Sequence, residues 1–238
     1  MFSFFKLVFV YMTLGAPLGI IGIPYSLLVG NVGLLYRLSA RWLVPLGLRV
    51  VGIRVEVTGR EHVPVGTSCI YLSNHLSNLD PPVLFPVLPG QCSVLLKKSL
   101  MRIPILGTAM RLAKFVPVQR GSRRDAAQAS VAAAAAALKS GLNILIFAEG
   151  TRSKDGRLAS FKRGPFYLAM ETGAPVVPIA LSGTQKMMRK GSMAVTPGTA
   201  KVEFLEAVWP KDFATREELM AAVRGAIAAA LPEEMRPV

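Results

Sequence analysis

His75 and Asp80 are the residues whose types and spacing most directly suggest chemistry. They stand in "CIYLSNHLSNLD", residues 69 to 80, where an apolar strand-like run passes into a polar turn. The chain has 2 histidines, and this one sits among small polar residues instead of in a core pattern. Two readings fit. In one, Asp80 is the N-cap of a helix opened by Pro81 and Pro82, which lack only donors the helix would not use, and His75 is a plain loop residue. In the other, the turn folds the carboxylate onto one imidazole nitrogen and fixes the tautomer, so that the other nitrogen accepts a proton. Asn74, Ser77 and Asn78 suit such a turn, because their side chains can satisfy its backbone groups.

A second signal is charge. No acidic residue lies between Asp80 and Asp125, while 8 lysines and arginines do, among them Lys97, Lys98 and Arg120. Solvated surfaces mix their signs, so a one-sign stretch points to a bound anion. Arg120 ends the apolar run "KFVPVQR", which fixes its position on a strand. Arg123 and Arg124 open an alanine-rich helix where the dipole disfavours cations, and are read as facing outward. In "LNILIFAEGTRSKDGR" a buried strand runs into a turn holding Glu149, Gly150, Thr151 and Arg152. Arg152 then lies at the carboxyl end of a central strand, where open α/β sheets place their ligands. Its planar fork matches pairs of phosphate oxygens. Glu149 either orients that guanidinium or pairs with it on the surface. Backbone N–H groups near Gly150 are candidate oxyanion donors. In "GAPVVPIALSG", Pro178 suggests an edge strand or a bulge with a wall-forming role.

Positioning these groups requires a sheet. Short β-rich runs at Ile53–Thr58, Ser68–Leu72, Cys92–Leu96, Phe115–Val118, Ile144–Phe147, Val176–Leu181 and Lys201–Leu205 alternate with helical stretches. Several are continuously apolar, as strands covered on both faces are. Ser122 to Gly141 reads as a capped alanine helix, and Thr215 with Glu218 opens another through a capping box. The expected fold is α/β: a mixed, mostly parallel sheet flanked by helices, residues 45–238. It stands behind an N-terminal membrane-embedded helical hairpin, residues 1–44.

That N-terminal stretch carries no charge between Lys6 and Arg37, but Gly15, Pro17, Gly19, Gly22 and Pro24 interrupt it. A helix over residues 1 to 14 would be roughly 21 Å long, short of the ~30 Å hydrocarbon core. Two short helices dipping into one leaflet are expected, the second beyond Pro24 with Arg37 and Arg41 on one face and Leu28, Val32 and Leu35 on another. A single kinked span is the alternative; a cleaved signal peptide fits worst.

Lys and Arg total 28 against 14 Asp and Glu, a formal net charge of +14, alongside 52% hydrophobic residues and a mean hydropathy of +0.44. The charge suits an anionic partner, and the greasiness favours a membrane surface over nucleic acid, with the basic body on the cytoplasmic face. Cys69 and Cys92 lie in apolar runs and read as buried thiols; with so few Cys and His, no metal site is expected.

Taken together, these stretches resemble the 1-acylglycerol-3-phosphate O-acyltransferase family of glycerolipid acyltransferases. Asn74-His75-Leu76-Ser77-Asn78-Leu79-Asp80 fits the family's Asn-His-x-Ser-x-x-Asp block, and Phe147–Ser153 fits its Phe-Pro-Glu-Gly-Thr-Arg-Ser block with Ala148 in place of proline. "KFVPVQR" fills the arginine-ended block loosely, and "VVPIAL" fits the block of valine, proline and aliphatics. The resemblance implies transfer of a fatty acyl group from acyl-CoA or acyl-ACP to the sn-2 hydroxyl of lysophosphatidate, giving phosphatidate, with no cofactor beyond the thioester co-substrate. It implies His75 as general base, Asp80 as its support, and Arg120 and Arg152 on the acceptor phosphate, with Lys97 or Lys98 assisting. Asn74, Ser77, Glu149, Gly150 and Thr151 would then be supporting residues. No Gly-x-Ser-x-Gly occurs, so direct attack on the thioester is expected instead of an acyl-enzyme. Membrane localisation on the cytoplasmic face follows, at the inner membrane if the source is bacterial. The rivals are the same chemistry on another lysophospholipid or lyso-aminolipid, and a non-catalytic basic membrane binder. The sequence is silent on oligomeric state.

Overall fold

The computed structural model describes residues 5, 6, 9, 11–103, 105–118, 124–188, 192 and 194–237, without the side chains of 11, 97, 118 and 124–127. The chain opens as two helical arms. The first runs through a π-helical turn, Tyr11–Gly15, into α1 (Ala16–Leu28). The second comprises α2 (Gly33–Leu38), a π-helical turn Ser39–Leu43 and α3 (Val44–Val50). The break therefore falls at residues 29–32, where Gly30 takes φ +63°, and not in the glycine- and proline-rich run that was expected to supply it. Pro17 sits in the first turn of α1, which tolerates it, and Pro24 is accommodated inside the helix. Two of the glycines serve close approach instead. A Cβ on Gly22 would lie 2.8 Å from Leu35 Cδ1 of the opposite arm, and one on Gly19 would collide with Ile105 Cγ2.

The sheet has seven strands in the order β1-β7-β6-β2-β5-β3-β4. These are β1 (Ile53–Thr58), β2 (Ile70–Ser73), β3 (Cys92–Lys97), β4 (Val116–Val118), β5 (Asn143–Phe147), β6 (Val176–Ser182) and β7 (Gly198–Phe204). Every neighbouring pair is parallel except β6 with β7. Between the strands and after them lie α4 (Asp80–Leu84), α5 (Leu106–Leu112), α6 (Arg124–Lys139), α7 (Gly164–Thr172), the single turn α8 (Thr184–Met187) and α9 (Arg216–Ala230).

Alternation along the strands assigns each helix to a face. Ile70, Leu72, Ile144 and Ile146 pack with Ala134 of α6, Phe166 of α7 and Leu219 of α9. Tyr71, Leu145, Val177 and Ile179 point the other way, toward Leu48 of α3 and Val83 and Leu84 of α4. β2, the middle strand, is buried along its whole length. The hairpin's second arm is docked on this second face. The Cys92 N–H donates to the Tyr36 hydroxyl at 2.9 Å, and the Tyr36 ring meets Phe85 edge-on at 4.8 Å.

The capping box appears as read: Glu218 N donates to Thr215 Oγ1 at 3.2 Å, and Thr215 N to Glu218 Oε2 at 3.3 Å. Gly141 follows α6 at φ +85°, as its C′ role requires. Ser122, read as the N-cap of that helix, lies outside the described residues. Pro178 is not on an edge, because β6 lies between β2 and β7. Its carbonyl accepts from Leu205 N on the β7 side, so its missing N–H also faces that side, where pairing lapses between Phe204 and Val208. No ladder donor is lost there.

Candidate active site

The chain leaves β2 at Ser73 and turns through Asn74–Leu79 before α4. Within that turn His75 Nδ1 lies 2.7 Å from Asp80 Oδ2, the imidazole 11% exposed and the carboxylate fully buried. The same Oδ2 accepts from Leu76 N at 2.6 Å and Ser77 N at 2.9 Å, while Oδ1 accepts from the Thr184 hydroxyl at 2.6 Å. The N-cap reading of Asp80 therefore fails. Asp80 is the first residue of α4, the cap position is Leu79, and the carboxylate reaches back into the turn instead of capping the helix. Of the two arrangements open to the sequence, the structure has the dyad. Nδ1 faces a carboxylate and carries the proton, which leaves Nε2 as the acceptor.

The imidazole and its backbone are held from the β5 side. Phe147 stacks on the ring with centroids 4.1 Å apart and planes 22° from parallel. Beyond Phe147 the chain turns, with Gly150 N–H donating to the Phe147 carbonyl at 3.0 Å and Gly150 at φ +70°. That N–H closes the turn and so is not an oxyanion donor. Glu149 is 3% exposed, which excludes surface pairing. Its Oε1 accepts from His75 N at 2.9 Å and Oε2 from Ala159 N at 3.2 Å. Burial pushes its carboxyl up, opposed by those two backbone donors. Ser153 N–H donates to the His75 carbonyl at 2.8 Å, so the β5 turn grips both backbone polar groups of His75. Thr151 is exposed and Arg152 half-buried in this turn.

The β6 side supplies a second set of tethers. Asn74 Nδ2 donates to the Leu181 carbonyl and its Oδ1 accepts from Leu181 N, both at 2.9 Å. The Ser77 hydroxyl donates to the Met188 carbonyl at 2.8 Å. Thr184 completes the set. The sequence offered no motif for Thr184, and it placed Phe147 in the Phe147–Ser153 block without showing the stack. The one cue was a hydroxyl residue following Gly183 at a strand end.

The cations are arranged more loosely. Lys97 ends β3, and Lys98, exposed, opens the 3-10 turn Lys98–Arg102. A cavity of about 390 Å³ is lined by Lys98, Met101, Arg102, Arg111, Phe115 and Pro117. Arg111 is braced there by the Met101 carbonyl at 3.0 Å. Arg120 and Arg123 lie outside the described residues; β4 ends at Val118, and Arg124 begins α6. Cys69 and Cys92 stand at the amino ends of β2 and β3, at the far end of the strands from His75. Burial pushes the Cys69 thiol up to about 11 and that of Cys92 up as well, so neither is an activated nucleophile. Among the described residues no group of His, Cys, Asp and Glu is arranged to hold a metal ion.

A family model described as Acyltransferase matches residues 54–182. The 1-acyl-sn-glycerol-3-phosphate acyltransferase alpha of Homo sapiens is 35% identical over 170 residues, 71% of this chain and 60% of that protein. The chloroplastic 1-acyl-sn-glycerol-3-phosphate acyltransferase BAT2 of Brassica napus is 40% identical over 144 residues, 60% of this chain and 41% of that protein. The matched region thus spans about half the length of these relatives. The crystal structure of the 1-acyl-sn-glycerophosphate (LPA) acyltransferase PlsC from Thermotoga maritima superposes with a TM-score of 0.80 at 27% identity, covering 95% of this chain and 90% of that one. With the matched region running from β1 to the end of β6, across both walls that hold His75 and Asp80, the chain belongs to the acyltransferase family.

Proposed function

We propose that the chain transfers a fatty acyl group from acyl-CoA or acyl-ACP to the sn-2 hydroxyl of lysophosphatidate, forming phosphatidate at the cytoplasmic face of a membrane, the inner membrane in a bacterium. One observation carries this reading: a buried carboxylate 2.7 Å from Nδ1 of a histidine at the carboxyl end of the middle strand. His75 Nε2 takes the acceptor hydroxyl's proton as the oxygen attacks the thioester carbonyl. Asp80 holds the ring and offsets the imidazolium charge as it develops. The carbon–sulfur bond then breaks, the thiolate leaves, and the proton on His75 is returned to it. Both cysteines are buried and unactivated, which favours this direct route over an acyl-enzyme. Arg152 and Lys98 bind the acceptor phosphate, with Arg120 and Lys97 assigned to the same role from the sequence.

The names of the relatives support the acceptor; the donor rests on the chemistry of thioesters alone. An acyltransfer assay with lysophosphatidate, other lysophospholipids and a panel of acyl-CoA and acyl-ACP donors tests the whole reading. Wild type forms phosphatidate, and His75→Ala loses roughly a hundredfold or more in kcat. Near-normal turnover by that variant, or equal use of acceptors without a phosphate, would sink it.

The hairpin is the proposed anchor. It exposes Ile20, Ile21, Leu27, Leu28 and Trp42, with Arg37 and Arg41 beside them. No described helix is long and apolar enough to cross a membrane. Two arms lying in one leaflet would meet a bilayer-resident acceptor without extracting its chain into water. Leu28→Asp with Trp42→Asp should release the protein from anionic vesicles in high salt; full retention would assign the anchor elsewhere.

A further inference from the structure

The Asp80 carboxylate is fully buried and held at both oxygens, and what holds it on one side is a residue far along the chain. A carboxylate offers about four lone-pair directions. Oδ2 uses its share on His75 Nδ1, Leu76 N and Ser77 N, all within the local turn. Oδ1 has one donor among the described residues, the hydroxyl of Thr184, 104 residues later and 2.6 Å away, with Thr184 itself fully buried.

The fold builds this contact deliberately. β6 ends at Ser182, and Gly183 takes φ +93°, where an added Cβ would collide with the Thr199 carbonyl. Only glycine fits that bend. The bend starts α8 at Thr184, and Met188 N–H closes the turn on the Thr184 carbonyl at 3.0 Å. Asn74 and Ser77 tie the His75 turn to Leu181 and Met188, on either side of Thr184.

We infer that Thr184 is a positioning residue for the base. Its hydroxyl holds Oδ1 so that Oδ2 stays aimed at His75 Nδ1, and it disperses the carboxylate charge against which the imidazolium forms. Without it, Oδ1 is a buried acceptor lacking a described donor, the carboxylate gains freedom to rotate, and its anionic form is less stabilised. Glu149 also acts on the pair electrostatically, and it is bound through the backbone of His75 and not through its ring.

Three forms of the full chain test this: wild type, Thr184→Val, which keeps the shape and removes the hydroxyl, and Thr184→Ser, which keeps the hydroxyl. His62→Ala in each leaves His75 as the sole histidine, so its Nδ1–H resonance can be followed by NMR independently of any activity. In Thr184→Val the Asp80 carboxylate is no longer held at Oδ1, so the resonance of the proton that His75 shares with Oδ2 should shift and broaden relative to wild type. In acyltransfer, which rests on the proposed function, the loss should fall on kcat with little change in acceptor KM. kcat/KM near neutral pH should fall by roughly tenfold, and Thr184→Ser should restore both readouts. An unmoved Nδ1–H resonance in Thr184→Val overturns the inference. So does a serine variant as impaired as the valine one. If wild type transfers no acyl group, the function proposed above fails, while the Nδ1–H resonance still decides the role of Thr184.

Discussion

The two sides of the site are built on different physical terms. On the base side, His75 and Asp80 are buried, and their turn is tied to the β5 turn through Glu149 and Ser153 and to the end of β6 through Asn74, Ser77 and Thr184. On the cation side, Lys98 and Arg102 of one 3-10 turn and Arg111 of α5 are exposed around a cavity that also offers Met101 and Phe115, while Arg152 stands half-buried in the β5 turn. Proton transfer requires heavy atoms within about 3 Å of each other, so small misplacements are expensive. Attraction between a cation and a phosphate decays over about 8–10 Å and tolerates looseness. Substitutions on the two sides should therefore differ in kind: losses of kcat on one, rises of KM on the other.

The largest effect should come from Asp80→Asn. The amide keeps the volume but removes the charge that the imidazolium needs, and its NH2 cannot take the place of the oxygen that accepts from Leu76 N and Ser77 N. kcat should fall by roughly 10²–10⁴-fold with little change in acceptor KM. An effect confined to KM would erase the distinction between the two sides.

Glu149→Gln should come next. One of its two backbone donors, His75 N or Ala159 N, must lose its acceptor, because a glutamine has only one oxygen. Loosening the backbone under the base should reduce kcat by roughly tenfold. The same residue gives a pH test. Burial holds its carboxyl above the usual value in the folded chain, so as pH rises past about 4.3 the unfolded chain releases a proton that the folded chain still holds. Stability then falls with rising pH between that value and the raised one. Glutamine has no proton to release, so chemical denaturation across that window should show a shallower fall for Glu149→Gln. Identical slopes would mean that Glu149 is not the buried titrating group described above.

The same contrast explains what could be read from the sequence. The base was legible because its parts sit within one turn, His75 and Asp80 being five residues apart. The strands were legible because double burial leaves continuous apolar runs, as in β2 and β6. Thr184 was not, because its contact spans 104 residues and depends on where β6 lies beside β2. Of the edge and the bulge read for Pro178, the edge fails, because the lapse in pairing that excuses its missing N–H lies on the β7 side of an interior strand, between Phe204 and Val208. In the hairpin, Gly19 and Gly22 looked like breaks because a sequence does not reveal that Ile105 and Leu35 press against them. Arg152 was legible from its place at the end of a buried strand, while Lys98, Arg102 and Arg111 were legible only as a density of charge, with no partner spacing to order them.

Arg152→Ala and Lys98→Ala should produce the smallest effects, and the difference between them is informative. Arg152 lies in the turn that grips His75, one residue before Ser153 donates to the His75 carbonyl, so its backbone is anchored close to the base. Losing it should raise the KM for lysophosphatidate by roughly tenfold, in line with one charge-assisted hydrogen-bonded contact, and change kcat less. Lys98 is exposed at the start of a 3-10 turn, where solvent and neighbouring cations can replace much of its pull. Its removal should raise KM by about threefold at low ionic strength, with the effect fading as salt is added. The Arg152 effect should persist in salt, because a half-buried contact is screened less. A salt series on both variants measures this directly. If Lys98→Ala proves the more damaging and the less salt-sensitive, the phosphate sits in the cavity beneath Lys98 and not beside the β5 turn.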